Sequence, residues 1–116
     1  MTSQEVEDLV EILQRNADKR TIVEGKRDRI VLCSLGFNDV LAISGGIYET
    51  AEQLKDAEVL VLTDFDDEGK QIAKKLNLFL QHNGVKADTE TRRKVGILFS
   101  KLKITKIEEL RGVLNG

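Results

Sequence analysis

The chain has 116 residues, 41% of them hydrophobic and 33% charged, with a net charge of −2. That is the size and balance of one folded domain, and it excludes a disordered segment. No apolar stretch approaches the roughly 18–20 residues that a membrane span needs. The acidic, amphipathic start MTSQEVEDLVEI is unlike a signal or transit peptide, so a cytoplasmic address without a membrane partner is expected. A single cysteine, Cys33, excludes an internal disulfide and a cysteine-based zinc site, and the burial habit of free cysteine predicts a core position for it. The net charge argues against coating nucleic acid by charge alone, yet the sum hides an asymmetry. Residues 1–85 carry 10 Lys and Arg against 16 Asp and Glu, a net of −6, and residues 86–116 carry 8 against 4, a net of +4.

In chain order, Ser3 can cap a helix over 3–16 in which Val6, Leu9, Val10 and Leu13 recur at helical spacing. Thr21 to Glu24 reads as a strand ended by Gly25. A short helix through Ile30, Val31 and Leu35 stops at Gly36. Val40 to Ser44 reads as a second strand, running into Gly45-Gly46, and a polar helix over 49–55 follows. Val59 to Thr63 is the strongest strand signal, and its apolar residues do not alternate with polar ones, as suits a strand buried on both faces of a parallel sheet. A long helix over 68–82 carries Ile72, Leu76, Phe79 and Leu80 on one face and stops at Asn83-Gly84, with His82 in a cap-like place at its end. Val85 to Ala87 reads as a fourth, short strand, and helices over 90–101 and 105–114 complete the chain. With no proline and no internal repeat nothing marks a linker, and the alternation predicts an α/β three-layer sandwich around a mainly parallel four-stranded sheet. Residues 1–19 are then an N-terminal helix packed on a domain of residues 20–116.

In such a sheet, ligands bind beyond the carboxyl ends of the strands. The first strand ends in Glu24-Gly25 and the third in Asp64-Phe65-Asp66-Asp67-Glu68-Gly69, which brings carboxylates to one rim. If residues 64–66 stay extended, Asp64 and Asp66 project to one side and Phe65 to the other. Acids this close raise one another's pKa unless a cation sits among them, and magnesium, a hard ion held by oxygen donors, suits the set. Helix capping and the helix dipole account equally well for Asp66, Asp67 and Glu68. They do not account for Asp64, which interrupts an apolar strand, or for Glu24 at the end of another.

Glu24-Gly25-Lys26-Arg27-Asp28, followed about 40 residues later by Asp64-x-Asp66-x-Glu68-Gly69, resembles the Toprim domain. That domain is shared by type IA and type II topoisomerases, bacterial-type primases, the overcoming-lysogenization-defect nucleases and a ribosomal-RNA-maturing nuclease. The likeness covers about residues 20–112 and is nearest in kind to the small single-domain Toprim proteins of archaea. It implies a Rossmann-like fold, with Glu24 as general acid or base in phosphoryl transfer and Asp64 and Asp66 as magnesium ligands assisted by Glu68. Manganese is an expected substitute ion, and Asp28 is expected to brace its loop. The sequence departs from the family pattern at Phe65, where proline or tryptophan is common, and at Asp67, where a basic residue is frequent. An acid at position 67 removes a phosphate contact, which bears on turnover more than on metal binding. A chain of this length has no room for a complete topoisomerase or primase.

Lys26, Arg27 and Lys70 flank the two motifs and are candidates for phosphate contacts of nucleic acid. Gly45 and Gly46 could present amides to a phosphate at the same rim, although a plain turn explains them too. Arg92 and Arg93 open a helix, where positive charge is unfavourable, and so are further candidates for an anionic surface or an ion pair. Few aromatic residues are available for stacking single strands. Two functions follow. One is magnesium-dependent hydrolysis or transfer of phosphodiesters, with RNA slightly favoured over DNA. The other is a non-catalytic, magnesium-dependent module that binds nucleic acid or nucleotide within a larger processing assembly. A phosphoacceptor receiver domain would want its acidic pair after the first strand, and a haloacid-dehalogenase phosphatase would want Asp-x-Asp there as well. Neither pattern fits.

Overall fold

A computed structural model describes residues 3–115; residues 1, 2 and 116, the outermost positions of the two expected segments, lie outside it. Helix α1 (Gln4–Arg15) starts where Ser3 Oγ accepts the Val6 amide. Strand β1 (Thr21–Val23) leads into α2 (Lys26–Ser34), and β2 (Val40–Ala42) leads into α3 (Ile47–Glu52). Strand β3 (Glu58–Val61) precedes the long α4 (Asp67–His82). Then come β4 (Lys86–Ala87), α5 (Thr89–Lys101), a single 3-10 turn (Ile107–Glu109) and α6 (Leu110–Asn115). Gly36, just past α2, has φ +101°, a left-handed backbone that a side chain would strain.

The four strands lie side by side in the order β2-β1-β3-β4, and every pairing is parallel. Alternation along the strands divides the core into two layers. Val23, Leu60 and Leu62 face Leu9, Leu13, Val31, Leu32, Val95 and Phe99, so α1, α2 and α5 cover that side together with Ile107 and Leu110. Ile22, Val59 and Val61 face Ala51, Leu54, Ala73, Leu76 and Leu80 of α3, its following turn and α4. The chain is thus the α/β sandwich the sequence predicts, and the apolar run of β3 is buried on both faces because both layers of helices pack on it. Among the described residues no helix is long and apolar enough to cross a membrane.

Two local expectations are corrected. Cys33 is exposed, because α2 buries Asp28, Val31 and Leu32 and Cys33 falls on the opposite face. The expected helix over 105–114 is a 3-10 turn followed by a short α-helix. Its first amides are committed elsewhere: Glu109 Oε1 accepts those of Thr105 and Lys106, and the Ile107 amide donates to Asp64 Oδ1 at 2.9 Å.

Candidate metal centre

Because β1 and β3 are neighbours, the chain beyond their carboxyl ends stays adjacent. The Leu60 amide donates to Arg20 O and the Leu62 amide to Ile22 O, each at 2.8 Å. The next amide in this alternating series, Asp64 N–H, donates to the Glu24 side chain at Oε2, 3.1 Å away. A carboxylate therefore occupies the next place on the ladder, and this locks Glu24 beside Asp64.

The turn into α4 is equally constrained. Thr63 Oγ1 donates to Gly69 O at 2.7 Å, and the Gly69 amide donates to Asp66 Oδ1 at 2.8 Å. A Cβ on Gly69 would lie 2.9 Å from Asp64 Cα and closer still to the Asp64 carbonyl. Glycine is required there for the helix to approach the strand end.

Asp28 completes the cluster. It stands in the first turn of α2, only 8% exposed, where Oδ2 accepts the Gly25 amide at 3.3 Å. It braces its loop in this way and also points toward the acids. Glu24, Asp28 and Asp64 each offer a carboxylate oxygen, and the three oxygens lie within 4.8 Å of one another. Burial, with the neighbouring Asp64 and Asp66 charges added, pushes the Glu24 carboxyl up to about 7. Burial also raises Asp28, with the Asp64 charge second. Three hard oxygen donors crowded at one rim suit a divalent cation of the magnesium type.

The other expected site residues are distributed around this cluster. Asp66 caps α4 with one oxygen, and its charge reaches Glu24. Asp67 and Glu68 are exposed in the first turn of α4, and Glu68 is not part of the converging group. Lys26, Arg27 and Lys70 are exposed near the starts of α2 and α4, with Arg27 3.9 Å from Glu108. Gly45 and Gly46 lie beyond β2 and lead into α3. Arg93 is paired with Glu90 through two hydrogen bonds, of 2.6 and 3.1 Å. Arg92 is turned inward: its guanidinium donates to the carbonyls of Val61, Thr63 and Asp64 and lies 4.4 Å from the Phe65 ring centroid. That placement differs from the surface position expected for a phosphate contact, because the end of β3 needs donors.

Sequence reasoning assigns Asp28 to bracing its loop. Its place four residues after Glu24, in the first turn of a helix that begins at the strand end, is the signal that could have put it in the cluster. The inward course of Arg92 and the Ile107 amide left no such signal.

Comparison with known protein families matches residues 19–102 to the Toprim domain. The chain belongs to the Toprim family. A UPF0292 protein of Pyrococcus abyssi is 41% identical over 101 residues, which cover 83% of this chain and 74% of that protein. A UPF0292 protein of Methanocaldococcus jannaschii is 33% identical over 114 residues, covering 93% and 88%. Among solved structures, a putative protein from Aquifex aeolicus superposes with a TM-score of 0.75 at 25% identity, covering 92% of this chain and 99% of that one. Toprim membership points to a metal-dependent role connected with nucleic acids, and the acidic cluster stands where a metal would serve it.

Proposed function

We propose that this Toprim protein binds magnesium at Glu24, Asp28 and Asp64, with Asp66 at the edge of the site and Glu68 outside it. It then acts on a nucleic-acid phosphodiester by hydrolysis or transfer, with RNA slightly favoured. The observation that carries the reading is the convergence of the three carboxylates at the carboxyl rim of the sheet. A divalent ion held there would neutralise phosphate oxygens and orient the attacking or leaving oxygen. In the metal-free protein burial holds the Glu24 carboxyl near the neutral range, so this group would give up its proton as the ion binds. Asp64 is fixed by the Ile107 amide on one oxygen, which leaves the other for the ion. Lys26, Arg27 and Lys70 flank the rim and would receive the phosphates on either side of the reacting one.

Binding without turnover, within a larger processing assembly, is the second reading. The exposed Asp67 and Glu68 favour it, because they repel an approaching backbone. A cleavage assay on structured RNA and single-stranded DNA with magnesium or manganese separates the two. Metal-dependent cleavage that disappears in Glu24→Gln supports the enzyme. A wild-type protein that binds manganese and nucleic acid but cuts neither substrate leaves the binding module.

A further inference from the structure

The carbonyls at the end of β3 have a supply of donors that runs out. On the β4 side, the Asp88 amide reaches Val59 O at 2.8 Å, and the chain then turns away into α5. Val61 O and Thr63 O, the next two carbonyls in that alternating series, would face no strand. Arg92, in the first turns of α5, takes the missing place. Its Nη1 donates to Val61 O at 3.1 Å and to Thr63 O at 2.9 Å, and its Nη2 donates to Asp64 O at 3.1 Å. The Phe65 ring supports the guanidinium at 4.4 Å, and that ring in turn packs on Phe99 with centroids 4.7 Å apart.

The choice of residue is informative. A partly buried cation whose acceptors are all carbonyls is costly compared with a neutral donor. A glutamine amide, however, has only two N–H groups for three carbonyls. The guanidinium also feels the charges of Glu24 and Asp64, which oppose the effect of its burial. Glu24 takes the amide of Asp64 and Arg92 takes its carbonyl, so the two hold the same stretch of backbone.

We infer that Arg92 is the positioning residue of the acidic site: its fork holds the 61–64 backbone so that Asp64 presents its carboxylate beside Glu24, and its fixed charge backs the two acids. The inference deepens the metal reading above and rests on it for one of two readouts.

The first readout needs no metal. In wild type, the amides of Asp64, Phe65 and Ile107 are bonded to Glu24 Oε2, Thr105 O and Asp64 Oδ1. Amide hydrogen exchange in Arg92→Gln should accelerate at these three positions by tenfold or more relative to Leu76 and Leu80 in α4. Arg92→Lys keeps the charge but loses the fork and should fall between. The second readout is manganese titration at a temperature where every variant is folded, with affinity expected to drop at least tenfold in Arg92→Gln and less in Arg92→Lys. Wild-type exchange at the three amides overturns the inference. So does faster exchange with unchanged manganese affinity, or a loss of protection shared equally with Leu76 and Leu80, which would mark a general prop of the core. A wild-type protein that takes up no manganese rejects the metal reading instead, and the exchange rates alone then decide the role of Arg92. Should neither variant fold, Phe65→Leu removes the ring beneath the guanidinium and should loosen the same three amides; wild-type protection there overturns the inference as well.

Discussion

At Glu24, the same carboxylate that continues the β1–β3 ladder also crowds against Asp64, and this sets a pH dependence. Burial raises its carboxyl from the ordinary value of 4.5 to about 7, so the folded chain holds a proton that the unfolded chain has released. Between those values the native state binds more protons than the unfolded state, and stability must fall as pH rises through this window. Above about 7 the contribution is fully lost and the dependence flattens. Because Glu24 is only partly withdrawn from water, the loss is about 1–2 kcal/mol after allowance for solvent screening. Urea denaturation of the metal-free protein at pH 5 and pH 8 measures it. Glu24→Gln, which cannot ionise, should reduce the difference between the two pH values to what Asp28 and the remaining acids supply. A wild-type curve that rises between these pH values would contradict the placement of Glu24 among crowded acids.

The element that aims the site is the junction of β3 with α4, and its tightest point is Gly69. Any side chain at 69 meets backbone at Asp64, which cannot swing aside as a flexible side chain could. Gly69→Ala should therefore push the start of α4 away from the strand end, costing roughly 1–3 kcal/mol by the measure of overpacked positions. The variant should lose metal affinity more than Glu68→Ala does, since Glu68 is exposed outside the cluster. Denaturation midpoints and manganese titration of the two variants make the comparison. This junction also shows where legibility in the sequence ends. The strand, the helix, the cap at Asp66 and the acids at the rim are all visible in local residue order, because periodicity and capping act over a few positions. Arg92 reaching Val61 across 31 positions, and the Ile107 amide reaching Asp64 across 43, leave no local trace. Arg92 reads as a misplaced surface charge for that reason. The sequence starts the last helix too early for a related reason: its first amides are taken by Glu109 and by the distant Asp64, so no local cap marks the start. Residue type assigns Cys33 to the core, whereas helix phase decides, and α2 turns that position to solvent.

At the scale of the molecule, the strand order β2-β1-β3-β4 puts the two acid-bearing strands side by side at the centre of the sheet. The helices of both layers then hold their ends in place. The core of leucine and valine on both faces, with phenylalanine on one, owes nothing to the rim acids, which repel one another in the absence of a cation. The fold supplies the stability and the site draws on it. Two consequences of opposite sign follow. Removing a charge should help the metal-free protein, so Asp64→Asn, which keeps an oxygen for the Ile107 amide, should unfold at the same temperature as wild type or slightly higher. Adding a cation should help only the intact site. Because the ion binds the native state, saturation at a hundredfold excess over its dissociation constant stabilises wild type by about 2.7 kcal/mol, a rise on the order of 10 °C in a domain of this size. The double variant Asp64→Asn with Asp66→Asn should stay folded and show no rise with magnesium or manganese. Thermal unfolding of the three proteins with and without each ion tests both signs at once. A double variant that fails to fold would mean that these acids hold the structure together, whereas a cation-induced rise that survives in it would place the ion elsewhere.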